Sequence, residues 1–493
     1  MSNMSFSLYG PPLLVLYGLL MVLLAEIVSP RDTRPRVRDL PPVLALATLA
    51  VALVAVALRW SNASEAQGFS AMIVGDRLAL FAQGLLCLAG MLGVLSAWNY
   101  LRTVGEDQSE YYALLLGAVF GGMTMVGAVD LIMIFLGLEI LSISVYVLAG
   151  FLRRRAESGE SAIKYFFLGA FSTGFLLYGI ALLFGHAGST NLTVIAEHCT
   201  FENGDSLMVL GGMALVLVGL GFKIAAFPFH VWTPDVYQGA PSPVSGFMAA
   251  AVKAASFATL LRLLVTAFQP LAPQWIVVIY YLAIGTMVFG NVAALVQNNL
   301  KRLLAYSSIA HAGYILVGIA AMIRQDQAGA GAVLFYLLAY TLMTVGAFAV
   351  VSHLSSGSAD ADRLDAYRGL SRRHPWLALA LTVYLVSMAG IPPLVGFVGK
   401  FLLFAAAVEA GLTHLAIIGV LTSALSVYYY IRVIYFMYMS EPVVETTPAE
   451  AIPHDWPGRV VLAATVALVI GLGILPHWFM TWAGESAAML LGK

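Results

Sequence analysis

The stretch FKIAAFPFHVWTPD, residues 222–235, decides how this chain is built. It closes an apolar run extending roughly over 206–232 and places Lys223 and Pro228 inside it. Proline removes a backbone donor and clashes with the preceding turn. In hydrocarbon, such a break persists only where protein or water satisfies the freed backbone groups. A charge at that depth costs roughly 2.5–3.5 kcal/mol on insertion scales. A segment that keeps both features implies a polar interior inside a membrane-embedded bundle.

The rest of the chain agrees. Of its 493 residues, 60% are hydrophobic and 10% charged, and the mean hydropathy is +0.89. This composition excludes a soluble domain and gives one polytopic bundle of helices. The net charge of −1 says little, no basic tract points to nucleic acid, and the lipid bilayer is the solvent. Cys87 and Cys199 show neither metal-ligand spacing nor a disulfide framework. The first apolar run lacks a basic leader and is followed by SPRDTRPRVRD, so it reads as a span, not a cleaved signal.

With about 20 residues per crossing, fourteen spans are expected, roughly at 8–29, 41–60, 76–102, 110–128, 130–152, 161–186, 206–232, 241–268, 274–296, 300–323, 328–354, 375–409, 412–439 and 458–484. Long continuous runs argue against a β-barrel. Arginines orient the bundle. Arg31, Arg34, Arg36 and Arg38 fill the first loop, Arg153, Arg154 and Arg155 the fifth, Lys301 and Arg302 the ninth, and Arg363, Arg368, Arg372 and Arg373 the eleventh. The even loops are nearly empty, Arg324 being the main exception. The positive-inside rule places the odd loops in the cytoplasm and both termini on the other side.

A weak repeat runs through the middle of the chain. DLIMIFLGLEILSISVYVLAG from Asp130 aligns with NLKRLLAYSSIAHAGYILVGI from Asn299, and SAIKYFFLGAFSTG from Ser161 with GAVLFYLLAYTLMT from Gly331. The offset of 165–170 residues equals five spans, and an odd number turns the second copy upside down. Inverted repeats mark transporters, with the working site near the midplane. The expected fold class is an all-α polytopic membrane protein with two inverted five-helix repeats, spans 4–8 and 9–13. The expected divisions are residues 1–105, a first repeat 106–270, a second repeat 271–440 and a terminal helix 441–493. Each repeat holds a broken helix, span 7 at Pro228 and span 12 at Pro392 and Pro393 in MAGIPPLVGFVGK.

Six lysines occur in all, and Lys164, Lys223, Lys253 and Lys400 fall inside hydrophobic stretches. Lys301 and Lys493 read as segment ends. Lysine can release its proton when buried, whereas arginine does not. Lysine in the core with arginine in the loops therefore points to proton exchange. Lys223 and Lys253 lie near the middle of spans 7 and 8, and Lys400 just past the second break. Lys164, in the first turn of span 6, is placed to snorkel. Glu139, mid-span in FLGLEILS, is either a static staple to one of these cations or a relay carboxylate with an exchangeable lysine. His230, His311 and Tyr306 are further proton-carrying candidates, packing being the alternative for the histidines. Asp235 sits near a turn and reads most simply as its cap. NAS at Asn62 and NLT at Asn191 are chance-level glycosylation matches, and ETTPAE near 447 is a polar connector. No phosphate loop, nucleophile elbow or metal motif stands out.

KIAAFPFHVWTPDVYQGAPSPVSGF, LLAYSSIAHAGYIL and AGIPPLVGFVGKF together resemble the signatures of the antiporter-like membrane subunits of respiratory complex I, NADH-quinone oxidoreductase. The resemblance covers essentially the whole chain. Of the three types, L continues into a long lateral helix with no counterpart here, and M carries a glutamate where Lys400 stands. L and M also carry a histidine-bearing stretch in span 8, where this chain reads MAAAVKAA. The chain is thus most similar to the N type. That resemblance implies a translocase subunit without a redox centre of its own, in a complex that uses FMN, iron–sulfur clusters, NADH and quinone. It implies M-type antiporter-like and small K/J/A-type subunits as partners, and a bacterial inner membrane. It further implies that Glu139 pairs with Lys223, that Lys253 is central and that Lys400 faces the exit. Lys164, His230 and Tyr306 fall on positions where the family uses polar residues. Lys223 precedes its proline and Lys400 follows its prolines, so the two are not strict repeat mates. A multisubunit cation/proton antiporter or a membrane-bound hydrogenase is the alternative home for these motifs.

Overall fold

The structure is a computed structural model that describes residues 9–28, 39–199, 206–324, 327–354, 362–441 and 455–492; the side chains of 64–67, of Ser206 and of 323–324 are left aside. Arg31, Arg34, Arg36, Arg38, Lys493 and the ETTPAE connector lie outside the described residues.

Two helices, α1 (Gly10–Val28) and α2 (Leu40–Trp60), lead into a short antiparallel hairpin of β1 (Ser64–Gly68) and β2 (Ile73–Gly75). The first repeat follows α3 (Arg77–Val104) and consists of α4 (Ser109–Val126), α5 (Leu131–Ala149), α6 (Ala156–Ala187), the short α7 (Leu192–His198), the broken pair α8 (Ser206–Ile224) and α9 (Thr233–Gly239), and an eighth span. That span is continuous but changes pitch: α10 (Ser242–Phe247), a π-helical turn over Met248–Val252, then α11 (Lys253–Thr266). The second repeat has α12 (Ala272–Leu295), α13 (Leu300–Ala320), α14 (Gln327–His353), the short α15 (Leu370–Arg373), the broken pair α16 (Pro375–Ala389) and α17 (Val395–Glu409), and α18 (Thr413–Met439). Helices α19 (Trp456–Ile474) and α20 (His477–Leu490) close the described chain.

Twelve described helices are long and apolar enough to cross a membrane. The other two expected spans fall short for separate reasons. Helix α4 has 18 residues and opens on Ser-Glu-Tyr-Tyr, which dilutes its hydropathy. Span 12 is divided into two pieces of 15 residues each. The last expected span, 458–484, needs correcting: α19 ends at Ile474, and Pro476 caps a separate helix instead of continuing it. Helix α20 turns onto the hairpin end of the bundle, where Trp482 meets Trp60 (ring centroids 6.2 Å apart) and Glu485 pairs with Arg77 at 3.4 Å.

The repeat is visible bond by bond. Asp130 caps α5 by accepting from the amides of Ile132 and Met133, and Asn299 caps α13 by accepting from that of Arg302. Beside each cap the chain makes an isolated antiparallel bridge, Asp130 with Asn191 and Asn299 with Arg363. The same amide pairs serve both: Leu131 to Thr190 and Leu192 to Val129 in one repeat, Leu300 to Asp362 and Leu364 to Asn298 in the other. Asn191 is committed to this joint, since its side chain also caps α7 and donates to Ala71 O at 2.9 Å. Two glycines bring the following helices together at matching positions. A Cβ on Gly121 would lie 2.5 Å from Leu141 N, and one on Gly290 would lie 2.6 Å from Ala310 N.

The helix breaks match as closely. At the first, Ala225 N donates to Phe222 O and Ala226 N to Gly221 O; at the second, Gly390 N donates to Ser387 O and Ile391 N to Val386 O. Both are Schellman turns, with Ala225 (φ 60°) and Gly390 (φ 85°) in the left-handed region. Both continue through a cis proline, Pro228 and Pro393. Each break therefore leaves a helix C-terminus, with its surplus carbonyls, inside the bundle.

The core is densest around α10–α11, α13 and α14. In α14 the whole crossing window is buried within this one chain. Helices α1, α2, α6 and α18 are exposed on their outer faces, as expected for helices that meet lipid or other subunits.

Candidate functional site

Lys223 occupies the last turn of α8, directly before the first Schellman turn. The C-terminal end of a helix dipole favours a cation there. Its ammonium is 2% exposed and donates to Tyr146 Oη at 3.0 Å. It lies 5.0 Å from the ring centroid of Tyr146 and 5.5 Å from those of Tyr165 and Phe222, a cation–π box. Trp232 stacks on Tyr165 with centroids 4.3 Å apart and donates to Phe222 O at 3.0 Å, tying the break to the box.

Lys400 meets the second break from its far side. It stands on α17, yet its ammonium donates to Met388 O (2.8 Å) and Ala389 O (3.3 Å), the last carbonyls of α16, and to Ser423 Oγ (2.8 Å). It also sits 4.7 Å from the Tyr314 ring. The two lysines are not repeat mates in sequence: Lys223 stands in the last turn of one half-helix and donates to a tyrosine hydroxyl, whereas the Lys400 ammonium bonds the last carbonyls of the other.

Lys253 follows the π-helical turn and is 1% exposed. It donates to Ser308 O at 2.5 Å and lies 5.8 Å from the Tyr340 ring, whose hydroxyl donates to Ser308 Oγ at 2.7 Å. His311 is one turn along α13. Its Nδ1 meets Tyr336 Oη at 2.5 Å and its Nε2 meets Tyr430 Oη at 3.1 Å. Tyr430 Oη also meets Ser307 Oγ at 2.5 Å. Tyr314 packs edge-on against His311, centroids 5.6 Å apart, and carries Lys400 on its ring. A continuous polar and aromatic seam thus runs from Lys253 to Lys400.

Glu139 lies half-buried on α5 and accepts from Thr173 Oγ1 at 2.9 Å. It forms no ion pair with Lys223. Tyr146, two turns further along the same helix, takes the ammonium, and Thr173 takes the carboxylate. The expected pairing is therefore split between two hydroxyl partners. Lys253 and Lys400 likewise have no carboxylate partner among the described residues.

The auxiliary candidates separate into two places. His311 belongs to the seam. Lys164 does not: it is 40% exposed and bonds Asp235 and Glu160, both at 2.7 Å. Helix α6 starts at Ala156, not near 161, so Lys164 sits in its third turn. Asp235 also receives Arg302 at 2.6 Å; it makes no capping bond and is a bridge between repeats, not the turn cap expected from the sequence. Burial opposes the Asp235 charge, but hydrogen bonds from Lys164 and Arg302 outweigh it and hold the carboxyl below its usual range. His230 stacks between Phe227 and Phe289, with centroids at 5.5 and 4.4 Å, and its Nδ1 has no hydrogen-bond partner. Tyr306 packs on the other side of Phe289 and lies under the Arg302 guanidinium. Tyr306 thus touches Arg302 directly, Lys164 shares Asp235 with it, and His230 is linked to Tyr306 through Phe289.

Three buried charged groups escaped the sequence reading. Lys301, taken as a segment end, is 1% exposed and donates to Ala240 O at 2.7 Å. Arg262 is 3% exposed and forks onto Asp76 at 2.7 and 2.8 Å; TLLRLLV signalled it as an arginine inside an apolar run. His353 meets Asp455 at 2.7 Å, and Asn99 donates to the same carboxylate at 3.2 Å. Cys87 and Cys199 are both buried, and among the described residues no three His, Cys, Asp or Glu side chains converge as metal ligands. The donor set does not fit an iron–sulfur cluster.

Comparison with known proteins places this arrangement. Residues 128–426 match the family described as NADH:quinone oxidoreductase/Mrp antiporter, transmembrane. A curated relative from Trichlorobacter lovleyi, NADH-quinone oxidoreductase subunit N, is 47% identical over 429 residues, 86% of each chain. A chain of respiratory complex I from Thermus thermophilus with bound aureothin is 36% identical, covers 96% of this chain and 98% of its own, and superposes with a TM-score of 0.80. The Mrp complex from Dietzia contains a chain of the same fold, with a TM-score of 0.83 at 21% identity and coverage of 99% and 98%. This chain belongs to the NADH-quinone oxidoreductase subunit N family of antiporter-like membrane proteins.

Proposed function

We propose that this chain is a proton-translocating membrane subunit of NADH:quinone oxidoreductase, and that Lys223, Lys253 and Lys400 carry the proton. One observation supports this reading above the others. Each of the three buried ammonium groups rests on neutral acceptors, namely tyrosine and serine hydroxyls and helix carbonyls. A static ion pair holds its proton against a carboxylate. An ammonium held by neutral dipoles can release its proton and leave no unpaired charge behind. Hydration at the two breaks, where carbonyls are in surplus, supplies the hand-over between groups.

Glu139 acts as the switch in this reading. It shares α5 with Tyr146, so an outside charge or a helix movement that frees it from Thr173 alters the field at Lys223. Lys253 passes the proton through Ser308, Tyr340 and His311 to Lys400. His230, Tyr306 and Lys164 form an auxiliary group at the arginine-rich end, and the breaks at Pro228, Pro392 and Pro393 set the depth of the C-termini. The divisions at 105, 270 and 440 mark the functional units. In the complex, M-type and small K/J/A-type subunits are the neighbours, and FMN, iron–sulfur clusters, NADH and quinone are handled by other chains. The membrane is the bacterial inner membrane, with the arginine-rich loops in the cytoplasm and both termini in the periplasm.

The intact complex carrying Lys223→Ala or Lys223→Arg, reconstituted in proteoliposomes, tests the proposal. Both variants should assemble and lose proton uptake by on the order of ten-fold or more, the scale of a lost proton-transfer group. Arginine fails in this scheme because it holds its proton. Normal proton uptake per NADH in Lys223→Arg would sink the relay and favour a scaffold role. Co-purification with hydrogenase or antiporter subunits would point to the alternative complex.

A further inference from the structure

Where α14 ends and α16 and α19 begin, a groove of about 630 Å³ opens on the outer surface of the bundle. Arg373, His374 and Arg459 stand at its rim, and among the described residues none that lines it is acidic. The carboxylate nearest in sequence to Arg459, Asp455, is 3% exposed and already engaged by His353 and Asn99. Arg373 is fixed by donating to Ala366 O at 3.1 Å and Arg368 O at 3.3 Å. The wall beneath is apolar, with Leu379 46% and Trp376 80% exposed.

Depth sorts these groups. Pro375 begins α16 and Arg459 lies in the first turn of α19, so the cations sit at the level where helices leave the hydrocarbon. Val466, seven residues on, lies about 10 Å deeper at the helical rise. A basic rim above an apolar cleft matches an amphiphile with an anionic head and a hydrocarbon tail. A free phosphate would leave the apolar wall unused, and an apolar peptide would leave the exposed Arg459 guanidinium without a counter-charge.

We infer that this groove binds an anionic phospholipid, its phosphate between Arg373 and Arg459 and one acyl chain along Trp376, Leu379 and Val466. Basic pockets between membrane helices at the interface recognise such head groups. The site is separate from the lysine seam and does not depend on proton transfer.

The test uses the intact complex in liposomes with two photoactivatable probes, phosphatidylglycerol and phosphatidylcholine, each bearing a diazirine acyl chain. Crosslinks are mapped by mass spectrometry to peptides covering 376–380 and 462–466. Phosphatidylglycerol should label these peptides about five-fold more than phosphatidylcholine, the preference that one interfacial cation supplies. Arg459→Glu, at an exposed position, should remove that preference, and Ala463→Trp should suppress labelling by both probes. Inorganic phosphate should not compete. Equal labelling by the two probes in the unaltered complex, an unchanged preference in Arg459→Glu, or displacement by inorganic phosphate would overturn the assignment.

Discussion

At the residue scale, the contrast is between lysines on neutral acceptors and other buried charges that are paired. Arg262 and Asp76 form a bidentate bridge that is nearly inaccessible, and Asp76 also caps α3 by accepting from Ala79 N at 2.8 Å. Breaking a buried pair by removing one partner costs about 3–5 kcal/mol, because the other charge is left uncompensated, whereas replacing both is milder. Asp76→Leu should therefore lower the thermal stability of the subunit strongly, and Asp76→Leu with Arg262→Met should recover most of the loss; an additive double variant would refute the argument. Lys223, Lys253 and Lys400 were legible in the sequence because an ammonium inside an apolar run is anomalous anywhere. Lys301 was not, since its position at a helix start is also where surface lysines stand. Only the fold shows that Ala240 O waits there inside the protein. The Glu139–Lys223 contact was misread for a related reason. Sequence gives depth along each helix, but not which hydroxyl on a neighbour intervenes.

At the element scale, the close approach of α4 to α5 and of α12 to α13 rests on Gly121 and Gly290. An added methyl at either would meet backbone nitrogen within 2.6 Å, an atom that cannot swing aside. Gly121→Ala and Gly290→Ala should each cost about 1–3 kcal/mol by overpacking, seen as less assembled complex and a lower melting temperature. Gly174→Ala, where nothing lies within 4 Å, is the matched control and should be neutral. The cluster around Arg302 joins α6, α9 and α13 through Asp235, whose carboxyl is held below its usual range in the folded protein. A depressed acid contributes stability above its unfolded pKa, about 3.9, and loses it as pH falls below that value. Asp235→Asn should therefore be less stable than the parent at neutral pH, with the difference closing under strong acid. A gap that persisted at acid pH would show that shape, not charge, holds the joint. The broken helices were legible because prolines occur at matching places in the two repeats, each with a lysine close by. The bend at Pro476 was not anticipated, because an apolar stretch beyond it looked like a continuation of the same span.

At the scale of the whole molecule, two inverted units place two helix C-termini in the bundle; Lys223 stands in the last turn of one, and the Lys400 ammonium bonds the carbonyls of the other. The repeat was legible in outline from spacing alone. Its atomic content, matching caps, bridges and Schellman turns, needed the backbone, because bond-for-bond equivalence survives while side chains diverge. Divergence is greatest where function is asymmetric. Glu139 in the first unit corresponds by offset to Ser308 in the second, the residue whose carbonyl holds Lys253. One unit thus carries the half-buried carboxylate and the other most of the internal seam. If the seam is the route, its middle is its weakest point, and that is His311, flanked by Tyr336 and Tyr430 with no carboxylate beside it. His311→Phe keeps the ring packing but removes both nitrogens. It should leave the complex assembled, as judged by native gels. Proton uptake in proteoliposomes should fall on the order of ten-fold or more, and His311→Gln, which keeps donor and acceptor atoms, should retain more than His311→Phe. Full pumping in His311→Phe would mean that protons bypass the seam between Lys253 and Lys400, and the route would have to be redrawn through water at the second break.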